Sequence, residues 1–149
     1  QNHNSEHPVY NGGKTYTGFY DNYNNEGDKI VISARGANAG FVNYVERKFW
    51  AGNSCYSVEI MDKKDNCVLF IYNYIKFKQR LFTDFQQAAN IPSVSKKETQ
   101  IFKVVCPTFE EQQQIANFLS ALDTKIEAVN TQINNTQAFK KGLLQQMFV

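Results

Sequence analysis

The sequence TFEEQQQIANFLSALDTKIEAVNTQINNTQAFKKGLLQQMFV, Thr108 to Val149, decides how this chain is built. Its apolar residues Ile115, Leu119, Leu122, Ile126, Val129 and Ile133 are spaced alternately by four and three positions, which is the heptad seam of a coiled coil. The register runs on through Thr136 and Lys140 to Leu143 and Met147. Pro107 breaks what precedes it, and Thr108 with Glu111 forms a T-x-x-E capping box. Glu110 and Glu111 at the start and Lys140 and Lys141 near the end suit the helix dipole. Such a helix would be about 60 Å long. It cannot bury its seam on one small domain, and the chain contains no second heptad segment. The expected partner is another chain.

Composition divides at Pro107. All eight Tyr, the only Trp and seven of the eight Gly lie before it. A turn-rich, aromatic domain of about a hundred residues is expected there, large enough for one core. The net charge of +2 is unevenly spread: 13 Lys and Arg against 10 Asp and Glu up to Pro107, then 3 against 4. Lys63 to Lys97 holds seven positive residues against Asp65 and Asp84. That allows a basic face without being diagnostic of nucleic-acid binding. Cys55, Cys67 and Cys106 are odd in number and widely spaced, the pattern of reduced cytosolic thiols. No signal peptide or membrane-spanning run is apparent, so a cytoplasmic protein is expected. The first residue is Gln1, not Met, as in a piece of a longer protein.

Residues 1–28 read as loops with a short strand near Tyr16. Lys29 to Ala34, KIVISA, is a β-branched strand; Arg35 to Gly40, RGANAG, is a turn, and Phe41 to Val45 is a second strand. Glu46, Arg47 and Lys48 turn the chain again, and Ser54 to Met61 forms a third strand before the turn DKKDN. Cys67 to Phe82 is read as helix, because Val68, Ile71, Tyr72, Ile75 and Phe82 recur at helical spacing. Ile91-Pro92 marks an extended segment, and Gln100 to Val105 a last strand.

Gly12-Gly13-Lys14-Thr15 resembles the end of a phosphate-binding loop, but Pro8 stands where that motif needs glycine and no apolar strand precedes it. It is read as a flexible loop in which Lys14 offers a point charge to a phosphate. His3 and His7 are the only histidines and fall in the polar N-terminal tail, and the cysteine spacings match no zinc site. No base–nucleophile set or methyl-donor loop can be assembled. The RGANAG turn is the best binding candidate. Gly36 and Gly40 permit positive φ, the Asn38 amide can pair with an adenine edge, and Arg35 can fork onto guanine or phosphate. A well-made hairpin accounts for the same residues equally well. Arg47, Lys48 and the run Tyr74, Lys76, Phe77, Lys78, Arg80 interleave cations with aromatics, which suits a backbone-contacting face or the solvated side of an amphipathic helix. Phe49 and Trp50 are read as core.

The long helix closely resembles the conserved helical region of DNA-specificity subunits from type I restriction–modification systems. The likeness rests on Pro107, Glu111, Gln112, Ile115, Ala116, Leu119, Leu122, Asp123 and Ile126, and on the closing KKGLLQQMF from Lys140 to Phe148. The resemblance implies an α+β chain: a small mixed target-recognition domain over residues 1–107 and one long coiled-coil helix over 108–149. Full-length members usually carry two of each. It further implies no chemistry in this chain and no cofactor, S-adenosylmethionine belonging to the modification subunit. The implied partners are double-stranded DNA, the modification (methyltransferase) and restriction subunits, and a second specificity half joined through the helix. The candidate DNA-contacting residues are then Lys14, Tyr16, Arg35, Asn38, Arg47, Lys48, Lys76, Lys78 and Arg80. The helix-pairing residues are Ile115, Leu119, Leu122, Ile126, Val129, Ile133, Leu143 and Met147. A coiled-coil adaptor without DNA binding is the alternative, and it would show no salt-dependent DNA affinity.

Overall fold

The structure, a computed structural model, describes residues 6–84 and 92–148. It divides into two compact units, Gln1–Gln113 and Gln114–Val149. The elements are β1 (His7–Tyr10), β2 (Gly18–Tyr20), β3 (Lys29–Ser33), β4 (Val42–Val45), β5 (Trp50–Ala51), β6 (Cys55–Val58), α1 (Val68–Phe77), α2 (Arg80–Asp84), α3 (Lys96–Gln100) and α4 (Phe109–Met147). Small mixed sheets followed by one long helix make the α+β arrangement expected from the sequence.

The KIVIS run forms the centre of the globular unit because both of its faces are covered. β3 lies between β4 and β6 in an antiparallel sheet. Ile30, Val31 and Ile32 are each at most 1% exposed, which explains an unbroken apolar run where alternation would mark a half-buried strand. Successive side chains point to opposite faces. On one, Val31 packs with Val45, Phe49 and Cys55, and Tyr10 and Ala51 lie against them. On the other, Tyr44 of β4 meets Tyr72 of α1 at 5.6 Å between ring centroids. Phe49 is fully buried as expected; Trp50 is half-buried, edge-on to Tyr20 at 5.1 Å.

The second sheet, in the order β2-β1-β5, departs in part from the sequence expectation. The strand expected near Tyr16 begins at Gly18, and β1 lies in a stretch that reads as loop. β1 pairs antiparallel with β2 and parallel with β5, placing Val9 opposite Trp50. His7 is therefore a strand residue and not part of a tail, its ring edge-on to Tyr23 at 5.0 Å. His3 and Ile91 lie outside the described residues.

Two further expectations are corrected. The helix over Cys67–Phe82 is interrupted at Lys78 and Gln79, where α1 closes by Lys78 N–H donating to Tyr74 O at 3.0 Å. Phe82, in α2 beyond the break, lies in the core at 3% exposure. Gln100 to Val105 is not a strand: Gln100 ends α3, and the residues after it join no ladder. The alternation is real, with Phe102 and Val104 half-buried and Ile101, Lys103 and Val105 exposed. Their anchorage is aromatic, Phe102 stacking on Phe82 at 4.9 Å. Inward-outward alternation reports a half-buried extended chain, whereas a strand also needs a partner edge.

In α4 the Thr108 hydroxyl accepts from Glu111 N–H at 3.4 Å, the forward half of the capping box. The first turn of this helix belongs to the globular unit, which extends to Gln113. Gln112 is 1% exposed. Its Nε2 donates to Asp65 O at 3.1 Å and to Pro107 O at 2.9 Å, and its Oε1 accepts from Cys67 N–H at 2.9 Å. Along the rest of α4 the seam is open in the single chain: Leu122 is 39%, Ile126 58%, Val129 55% and Ile133 47% exposed. The Thr136 hydroxyl donates back to Gln132 O at 2.8 Å. The hydroxyl of this seam residue is thus satisfied within its own helix, while Lys140 places a charge at a seam position.

Candidate functional site

Three segments far apart in sequence meet beyond the end of β3. The loop after β1 folds back so that Gly13 O accepts from the Ser33 hydroxyl at 2.8 Å. Gly12, at φ +80°, lies so close to the next turn that a Cβ there would sit 2.9 Å from Arg35 O, so only glycine fits. The RGANAG turn is a hairpin closed by Ala39 N–H to Gly36 O at 2.9 Å and Phe41 N–H to Asn38 O at 3.0 Å. Gly36 and Gly40 have φ near +89° and +87°. The turn is held from behind by Gly36 N–H donating to Pro92 O at 3.0 Å. The third segment is the break between α1 and α2, where Gln79 Oε1 accepts from Val42 N–H at 3.4 Å.

Together these segments line a shallow depression of about 170 Å³, with Lys14, Asn38, Gln79 and Arg80 on its walls. Three of the nine candidate residues are thus brought together, and Arg35 is exposed at the start of the same turn. Two cations flanking two amides can hold an anion while presenting hydrogen-bonding groups to a planar edge. Lys78, adjoining Gln79 in sequence, is half-buried with its ammonium 5.0 Å from the centre of the Phe77 ring.

The remaining candidates fall elsewhere. Arg47 lies over the Phe19 ring at 5.5 Å, and Phe19 is 5.0 Å from Tyr16, so this strand-edge cluster joins two of them. Lys48 stands over Tyr23 at 4.2 Å, donates to its hydroxyl at 2.8 Å and pairs with Glu26 at 3.4 Å. The Tyr23 hydroxyl above all, and then Glu26, push the Lys48 ammonium above its ordinary range. Asn24 holds this edge by mimicking a strand, accepting from Ala51 N–H at 2.7 Å and donating to Ala51 O at 2.9 Å. Lys76 projects from α1 onto Tyr72, donating to its hydroxyl at 2.5 Å. Nothing local in the sequence marks Gln79, which is absent from the sequence-derived candidates; its role depends on a backbone N–H 37 residues away.

Other polar groups are structural. Burial raises the Cys55 thiol, which rests against Tyr10 O at 3.2 Å. Burial, then the hydrogen bond to Asp28 at 2.8 Å, holds the Tyr44 hydroxyl in its neutral form far above the usual range. A cavity of about 780 Å³ between β6, α1 and residues 96–106 contains none of the candidates. Among the described residues, no group of three or more His, Cys, Asp or Glu is placed to hold a metal ion. No helix among them is long and apolar enough to cross a membrane.

Residues 1–136 match the family model described as the type I restriction modification DNA specificity domain. The chain belongs to this family. It is 31% identical over 125 residues to the type I restriction enzyme MjaVIII specificity subunit of Methanocaldococcus jannaschii, covering 83% of this chain and 28% of that one. A putative type I specificity subunit of Mycoplasma genitalium is 25% identical over 142 residues, covering 95% of this chain and 37% of that one. This specificity domain thus spans about a third of the length of these relatives. In fold it is similar to the crystal structure of a type I S subunit from M. genitalium, with a TM-score of 0.79 at 20% identity over 97% of this chain and 39% of the other. The long helix of the specificity domain is part of that likeness, since nearly the whole chain is covered.

Proposed function

We propose that this specificity domain reads one half of a bipartite DNA target and docks modification subunits through its long helix, without catalysing a reaction itself. The observation that carries the reading is the convergence of Lys14, Asn38 and Arg80 on one depression beside Arg35. Phosphates are held by cations that carry no sequence information, while base edges are read by amides and guanidinium groups. Asn38 and Arg35 take the reading role; Lys14 and Arg80, with Lys76, Lys78, Arg47, Lys48 and Tyr16 around the unit, take the positioning role. S-adenosylmethionine would be held by the modification subunit. Paired α4 helices would set the gap between two half-sites, because a rigid connection between binding units fixes their spacing. The seam open in the single chain supports that pairing.

The two roles separate experimentally. Asn38→Ala is expected to relax preference at one base pair, costing about 1–3 kcal/mol on the cognate site only. Lys76→Ala or Lys78→Ala should weaken binding to all sequences about equally, and the dependence of log K on log salt should flatten by roughly one unit for each phosphate no longer neutralised. Titrating each variant against cognate and scrambled duplexes over a salt series measures both. Unchanged sequence preference in Asn38→Ala would return RGANAG to a purely architectural role.

A further inference from the structure

We infer that Gln79 is a second base-reading residue, and that it reads as a hydrogen-bond donor. The inference rests on the proposal that this chain binds DNA through the depression of Lys14, Asn38 and Arg80. Among the described residues β4 is an edge strand of its sheet, with β3 on one side only. Val42 N–H is directed at Gln79 Oε1 at 3.4 Å. An N–H on one side fixes which end of a side-chain amide is oxygen. The Gln79 carbonyl is thereby held to the strand edge, which leaves its NH₂ donors for another partner. Gln79 is half-buried, so the side chain is held in place and still reaches the surface.

A glutamine free at both ends pairs with adenine by donating to N7 and accepting from N6. One whose carbonyl is turned to the strand edge offers the base its NH₂ donors, and these match O6 and N7 of guanine or O4 of thymine, whereas adenine would be left with its N6 amino group unmatched. Asn38, across the same depression, is the residue suited to adenine. The two amides would therefore read different bases. The flanking Lys14 and Arg80 supply charge toward the phosphates.

Capping the edge of β4 is the role a merely structural Gln79 would have, and one substitution separates it from reading. Gln79→Glu keeps an oxygen for Val42 N–H but replaces the outward donor by an acceptor. Selection of bound sites from random double-stranded DNA by the full chain, wild type and variant, is the test. At one position the wild type should enrich guanine or thymine, and Gln79→Glu should lower that enrichment about tenfold. The variant should favour adenine or cytosine there, whose amino groups can donate to the carboxylate. Its thermal midpoint should match wild type, while Gln79→Met, which also loses the cap, should melt lower. If Gln79→Glu selected the same sites with uniformly lower affinity, Gln79 would be no reader, though DNA reading by the chain would stand. If the wild type enriched no sequence at all, the DNA-reading proposal would fall and this inference with it.

Discussion

Replacing Leu122 and Ile126 together by Asp is expected to leave the chain monomeric, while the wild type sediments as a dimer at micromolar concentration. Both residues are on the seam, and in the single chain they are 39% and 58% exposed. In a paired helix they would be buried, where each unpaired carboxylate costs several kcal/mol. With two substitutions on each of two chains, the penalty exceeds the free energy of a typical micromolar association, about 8 kcal/mol. Thr124→Asp with Thr131→Asp is the control. These residues lie on the face opposite the seam, and both are exposed, so that variant should remain dimeric. Sedimentation of all three proteins decides the matter, with circular dichroism confirming that the helix survives. A wild type that is monomeric under the same conditions would remove the basis for pairing.

The second large effect is expected at Gln112. Both ends of its amide are engaged within the globular unit, accepting once and donating twice. Cys67 precedes the first residue of α1 and contributes no side-chain cap, so the partner of its N–H matters for how that helix starts. Gln112→Ala would leave one N–H and two carbonyls without partners in a dry site, at about 1–3 kcal/mol for each group that water cannot reach. A loss of about 3 kcal/mol or more follows, a large share of the roughly 5–15 kcal/mol typical of a domain. Urea unfolding followed by Trp50 fluorescence should show the midpoint fall. Gln112→Glu adds a test of sign. A carboxylate facing the Asp65 and Pro107 carbonyls is disfavoured, so the folded-state pKa of the new residue would rise above the unfolded value of about 4.3. The variant should then recover stability as pH falls below that raised value, and lose it as pH rises through it. An unfolding free energy for Gln112→Ala within about 0.5 kcal/mol of wild type would mean that water replaces the amide.

How far residues alone reveal this protein depends on the distance over which each feature is decided. Helix α4 is legible because its signals are local: Thr108 and Glu111 are one turn apart, and the seam repeats within a single segment. The same holds for β3, whose β-branched run reports burial on both faces, and for the RGANAG hairpin, whose glycines meet a demand for positive φ. Resemblance along α4 points to the family, which the match over residues 1–136 establishes. β1 escapes a sequence reading because HPVY is short and lacks alternation; two of its five register pairs are to Trp50 and Ala51, some forty residues on. Gln100 to Val105 misleads for the opposite reason, having the alternation of a strand but no ladder to join.

Of the candidate site, the residues alone show which chemical types are available: cations at 14, 35 and 80 and an amide at 38. It takes the fold to bring three of these into one depression, to gather Arg47 and Tyr16 around Phe19 in a separate cluster, and to give Gln79 and Gln112 their roles. The physical reason is that periodicity and capping are settled within a few residues by backbone geometry, whereas a polar side chain takes its role from whichever N–H or carbonyl the fold brings to it. For Gln79 that group is 37 residues away, and for Gln112 it is 45.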